Sequence, residues 1–192
     1  MINSELADDL GNLIRRVSVL IEKNFNGNIP KQGKLHKLDK DLIKKSDFAK
    51  EFEQLILSFE FNKAIELFWA FIRVTNKYLT DTEPWKIKDK TRLGTVLYNA
   101  LEATRIIALF LSPIIPSTAV KILDLIGQKA VSLDKASFSS KTTGKVKLGE
   151  VLFKKVKTQD LVVDPFARLD LRVAEILEVE KHPDADKLYV LQ

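Results

Sequence analysis

Apolar residues recur at helical spacing over the first two thirds of the chain. Leu6, Leu10, Leu13, Ile14, Val17, Leu20 and Ile21 fall three, four and seven residues apart, which lays one apolar stripe along a 3.6-residue helix starting near Ser4. Asn26-Gly27-Asn28-Ile29-Pro30 stops that helix and opens a polar, basic loop to about Lys37. A second helix is expected over Asp39 to Ser58, with Leu42, Ile43, Phe48, Phe52, Leu55 and Ile56 turned inward. A third starts near Asn62, a candidate N-cap, and runs through Trp69, Phe71, Ile72 and Val74 to Leu79. Thr80-Asp81-Thr82-Glu83-Pro84 ends it, because proline disfavours helical geometry in the residue before it. The fourth covers Lys90 to Leu111; Ser112-Pro113 and Pro116 then break the chain before a short fifth that ends at Gly127, a normal residue just past a helix. The pattern predicts a mainly α fold, an antiparallel bundle over residues 1–127.

Beyond Gly127 the texture changes. Residues 128–164 read as a linker, with Ser137 to Gly144 loop-like and Leu148 to Val156 a candidate strand. In residues 165–192, Leu169, Leu171 and Val173 alternate with Asp170 and Arg172, and Ile176 to Glu180 continues in the same β-like fashion. His182-Pro183-Asp184-Ala185-Asp186 reads as a turn leading into a second strand from Leu188. A lone hairpin is marginal in water, so this tail looks like the opening of a larger β domain.

Charge sharpens the division. The 192 residues carry 31 basic and 26 acidic side chains, a net charge of +5. Lys129, Lys135, Lys141, Lys145, Lys147, Lys154, Lys155 and Lys157 are opposed in their stretch only by Asp134 and Glu150, so the surplus sits in the linker. Such a segment is either a solvated spacer or the contact for a polyanion, nucleic acid first.

Composition removes most enzyme classes. With no cysteine there is no disulfide, thiolate nucleophile, zinc finger or iron–sulfur cluster. The only two histidines, His36 and His182, are far apart, which disfavours a histidine-built metal centre. No glycine-rich phosphate loop, HExxH or nucleophile elbow occurs. Asp8/Asp9 read as helix N-terminal charge and Asp184/Asp186 as turn residues. The longest apolar run, Ile106 to Ile115, is broken by Ser112 and Pro113, well short of the roughly 20 residues a bilayer span needs. No secretory leader is expected at the start, and the absence of cysteine fits the expected cytoplasmic location. No catalytic residue, metal site or bound cofactor is assigned, and the chain alone is not expected to be catalytic.

Binding features stand out more clearly. Asn12 and Arg16, one turn apart on the first helix, emerge side by side. Amide and guanidinium groups are the side chains that read base edges by paired hydrogen bonds, although the same pair also suits a solvated helix face. Trp85 follows Pro84 in a helix break beside Lys86, where it either caps the bundle core or stacks on an unpaired base.

Several motifs in order then resemble one family. Leu6-Ala7-Asp8-Asp9-Leu10-Gly11-Asn12-Leu13-Ile14-Arg15-Arg16-Val17, Phe25-Asn26-Gly27, Phe61-Asn62-Lys63-Ala64, Pro84-Trp85-Lys86, Arg92-Leu93, Val96-Leu97-Tyr98-Asn99 and Leu111-Ser112-Pro113 resemble the anticodon-binding helical domain of methionyl-tRNA synthetase, a class I synthetase. Phe166 to Val173 followed by Val179 to Leu188 resembles the start of the tRNA-binding OB-fold domain appended to many bacterial members. The resemblance implies that Asn12, Arg16 and Trp85, with Pro84 setting the loop, recognise the CAU anticodon of tRNA(Met). It implies as partners tRNA(Met) and the synthetase's catalytic domain, with neither DNA nor membrane. ATP, and zinc where the family uses it, belong to that catalytic domain, which would precede Met1. Residues 165–192 supply about two of the roughly five OB strands. The alternative is a stand-alone tRNA-binding adaptor, or a non-catalytic subunit docking a separate catalytic chain.

Overall fold

A computed structural model describes residues 2–129, 133–139, 141–149, 152–153, 175–184, 187 and 189–191. Two compact units are present, Met1–Lys155 and Val156–Gln192. The first is mainly helical. A π-helical stretch, Ile2–Gly11, leads into α1 (Asn12–Phe25), followed by α2 (Lys37–Lys45), α3 (Ala49–Leu57), α4 (Phe61–Thr82), a 3-10 turn (Pro84–Lys86), α5 (Lys90–Leu111) and α6 (Pro116–Leu125). At the join of the π and α stretches stands Gly11, where a Cβ would lie 3.2 Å from the Leu6 carbonyl oxygen.

The axis of the bundle is α5. Every residue from Leu93 to Leu111 on it is buried, with α1, α2, α4 and α6 packed around it. Its length and hydropathy would suffice to cross a membrane, but the whole of its apolar window is covered by neighbouring helices, as befits a core helix. The expected inward residues of the first, third and fourth helices are in the core: Leu10, Leu13, Ile14, Val17 and Ile21, then Trp69, Phe71 and Ile72, then Leu97 and Leu101.

The expected second helix is two helices. At Ser46 the backbone N–H and the hydroxyl both donate to carbonyls of the preceding turn, the hydroxyl to Ile43 at 2.6 Å. That closes α2, and the chain turns so that Phe48 drives its ring between Phe71 (centroids 5.2 Å) and Phe110 (4.6 Å). Offset aromatic contacts of this kind add stability beyond the area they bury. The predicted cap at Asn62 is displaced as well, since α4 begins at Phe61 with Glu60 before it.

The stretch read as a linker is, where described, part of the bundle. Ala136 and Val146 join the hydrophobic core. The backbone around Val146 bonds to the loop after α1 (Val146 N–H to Gly27 O, 2.8 Å; Ile29 N–H to Gly144 O, 3.1 Å) and Lys147 N–H donates to Leu125 O at 2.7 Å. Two isolated apolar residues among lysines carry no periodic signal, so only their partners reveal them as buried. Gly127 makes this approach possible. Its φ is +68°, and a Cβ would fall 2.2 Å from the Lys145 carbonyl oxygen. Gly127→Ala is expected to cost at least about 1–2 kcal/mol through left-handed strain, with added displacement of residues 144–146. An unchanged thermal midpoint would count against this.

In the second unit, β1 (Val179–Lys181) pairs antiparallel with β2 (Tyr189–Leu191), Val179 opposite Leu191 and Lys181 opposite Tyr189. Leu177 is 81% exposed and Tyr189 65%, apolar surface that this hairpin leaves uncovered. The β-like residues 165–173 lie outside the described residues, as does most of Leu148 to Val156.

Candidate nucleic-acid interface

Asn12 opens α1, and Arg16 follows one turn on. Asn12 is exposed and Arg16 half-buried, and Asn12 has no side-chain hydrogen bond among the described residues. The N-terminal stretch is held against α4 by the Asn76 amide, which donates to the Asp9 carbonyl at 3.0 Å. That contact places the start of α1 beside the last turns of α4.

The turn between α4 and α5 supplies the aromatic. Glu83 adopts a left-handed conformation (φ 44°) that ends α4. Pro84, buried, begins the 3-10 turn, where its missing N–H costs nothing, and Lys86 N–H closes back on Glu83 O at 2.8 Å. The Lys86 ammonium also pairs with the Glu83 carboxylate at 2.7 Å. Asp89 caps α5 by accepting from Thr91 N–H at 2.9 Å. Trp85 is thereby presented on a short turn and is 52% exposed, whereas Trp69 on α4 is 7% exposed. Trp85 does not cap the core.

Arg16 and Trp85, 69 positions apart in the chain, meet in space: the guanidinium carbon stands 5.6 Å from the centre of the indole ring. This cation–π contact holds a planar donor fork against an exposed aromatic face. Asn12 lies one turn before Arg16 on the same helix. The result is an aromatic platform, a donor fork and a free amide on one rigid ridge, which is the equipment for stacking an unpaired base and bonding its edge.

The helices on either side of the turn are joined by a group that sequence reasoning missed. The Asp39 carboxylate, fully buried on α2, accepts from Arg92 Nη1 (2.5 Å) and Nη2 (3.1 Å), from the Tyr78 hydroxyl (2.6 Å) and from His36 N–H (2.6 Å). Burial would raise its pKa, but the hydrogen bonds from Arg92, Tyr78 and the His36 backbone, with the Arg92 charge, outweigh burial and hold it below the usual carboxylate value. Tyr78 is pushed strongly up, by burial first and then by donation to Asp39, so it stays a phenol. Tyr78 on α4 and Arg92 on α5 lie seven residues before and after Trp85, so one carboxylate staples both ends of the segment that carries it. The lone sign of this in the sequence was an Asp three residues into α2, which reads as a helix-start residue. Among the described residues no group of three His, Cys, Asp or Glu side chains could hold a metal ion.

The family described as the anticodon binding domain of methionyl tRNA ligase matches residues 29–165, well over half of the chain. The chain belongs to that family. It is 34% identical to the methionine–tRNA ligase of Caldanaerobacter subterraneus over 97% of this chain and 34% of the relative. The corresponding protein of Thermotoga maritima is likewise 34% identical, over 97% of this chain and 33% of its own length. Among solved structures, the apo form of Mycobacterium tuberculosis methionyl-tRNA synthetase superposes with a TM-score of 0.71 at 30% identity, covering 81% of this chain and 33% of that one. The chain thus spans about a third of the length of the curated relatives it matches.

Proposed function

We propose that this chain reads the CAU anticodon of tRNA(Met) as the anticodon-binding part of a methionine–tRNA ligase, in the cytoplasm. The observation that carries the reading is the Arg16 guanidinium held over the exposed ring of Trp85. An anticodon loop offers unstacked bases: Trp85 stacks on one, while Arg16 and Asn12 donate to base edges, and Pro84 sets the turn that aims the ring. Activation of methionine with ATP and transfer to the tRNA 3′ end belong to the catalytic part of such a ligase, and no residue described here takes part in them. The role of this chain is to make productive binding depend on the anticodon.

Trp85→Ala and Arg16→Ala are each expected to weaken tRNA binding by about 1–3 kcal/mol with the helical fold retained. The test is a titration with tRNA bearing CAU and with the same tRNA carrying another triplet, at two salt concentrations. Preference for CAU that survives added salt supports anticodon reading. Equal affinity that collapses with salt would instead indicate phosphate attraction by the lysine-rich segment, as in a general tRNA-binding adaptor.

A further inference from the structure

The flank of α1 that carries Asn12 opens into a cavity of about 370 Å3, between that helix, the end of α6, residues 147–149 and residues 152–153. Asn12, one turn before Arg16 on the same helix, is one of the residues that line it, while Arg16 and Trp85 are not. Arg15, about 100° around the helix from Arg16, also lines it. Arg15 is exposed and has no ion pair among the described residues. Deeper in lies Ser18, 5% exposed, whose buried hydroxyl has no hydrogen-bond partner among the described residues. Leu125 and Phe153 contribute apolar wall.

An unpartnered buried hydroxyl is costly, and in a helix it could ordinarily bond back to a carbonyl one turn earlier. Its persistence beside an unpaired cation, a free amide and an aromatic wall describes one ligand class. A flat heterocycle with polar edges and an attached phosphate, a nucleotide, satisfies all four features. The volume lies in the range of ligand pockets.

We infer that this cavity is a second nucleotide subsite, which receives a further nucleotide of the same RNA loop that Arg16 and Trp85 engage. Arg15 meets its phosphate, and the Asn12 amide and Ser18 hydroxyl meet its base edge. The inference rests on the proposed anticodon reading, because the shared residue Asn12 is what ties the cavity to an RNA loop rather than to a free metabolite.

Ser18→Ala separates binding from structure. Removing an unsatisfied hydroxyl leaves the fold as stable as before or more so, yet is expected to weaken binding of an RNA hairpin carrying the anticodon stem and loop by about three- to tenfold. Arg15→Ala is expected to weaken the same binding and to lower the slope of log affinity against log salt by about 0.7, one phosphate contact on a single strand. Hairpins made abasic at successive loop positions locate the nucleotide, because at one position the Ser18→Ala penalty vanishes. Unchanged hairpin affinity in Ser18→Ala, or an unchanged salt slope in Arg15→Ala, overturns the subsite while a loss in Trp85→Ala leaves the anticodon reading standing. No loss in Trp85→Ala brings down both. Titration with free adenosine and cytidine monophosphates distinguishes the source: saturable binding that does not displace the hairpin overturns the RNA assignment in favour of a free nucleotide.

Discussion

Asp39→Ala is expected to destabilise the first unit by about 3–5 kcal/mol, the range found when one member of a buried ion pair is removed. The substitution leaves the Arg92 guanidinium, whose side chain is 17% exposed, without its carboxylate, and the Tyr78 hydroxyl without its acceptor. It also releases the His36 N–H at the start of α2. Three elements, α2, α4 and α5, lose their common joint. A lowered urea midpoint with an unchanged slope checks the prediction, and a loss below 1 kcal/mol would contradict it. Asp39→Asn keeps the shape and one acceptor oxygen, and is expected to cost less. Because Tyr78 and Arg92 flank the Trp85 turn, the surviving folded fraction should also bind tRNA more weakly than wild type does.

The same carboxylate predicts a pH dependence. Its folded pKa lies below the ordinary value of 3.8, so just under that value the unfolded chain binds more protons than the folded one. The Asp39 contribution is therefore fully present above about pH 4 to 5 and is lost as the pH falls through its folded pKa. Asp39→Asn should flatten that part of the acid limb.

Glu102→Ala is expected to be of similar size, about 3–5 kcal/mol, but with a local signature. Glu102 is fully buried on α5 and accepts from Arg105 Nε and Nη2 (both 3.0 Å), from Ser139 N–H (2.9 Å) and from the Thr142 hydroxyl. Arg105 in turn donates to the carbonyls of Lys135 (3.0 Å) and Ser137 (2.6 Å). The Tyr98 hydroxyl donates to Ser139 O (2.8 Å) and accepts from Thr142 N–H (2.9 Å). Three side chains one turn apart thus hold the backbone at residues 135, 137, 139 and 142 to the core helix. Without Glu102, Arg105 is left as a nearly buried, uncompensated cation, and the strap loses its main acceptor. Hydrogen exchange is expected to accelerate at Ser139 and Thr142 before it does in α4 or α5. Equal protection at those amides in wild type and variant would show that the strap is held by Ala136 and Val146 alone.

The candidate site was partly legible in the chain. Asn12 and Arg16 were readable as neighbours because helical spacing is a local property, and Trp85 was marked by the proline before it and the lysine after it. That Arg16 and Trp85 touch was not readable, since the contact closes a separation of 69 residues, and the two readings of Trp85, core cap or free platform, differ only in what packs beside it. Ser18 gave no sign at all, because a serine in an amphipathic helix looks the same whether or not its hydroxyl finds a partner.

By itself the sequence determined the helical bundle, its breaks at Asn26–Pro30 and Thr80–Pro84, and the apolar faces that meet on α5, because periodicity, proline and glycine act over a few residues. Its motifs also pointed to the family. Only the tertiary structure decided that the second helix is split by the insertion of Phe48, that residues 133–139 and 141–149 belong to the bundle, and that Asp39, Tyr78 and Arg92 form one joint between the helices that flank Trp85. The reason is common to all three. Each depends on groups far apart in the chain finding one another, and whether a carboxylate at 39 meets a guanidinium at 92 is settled by packing, of which no local pattern carries a trace.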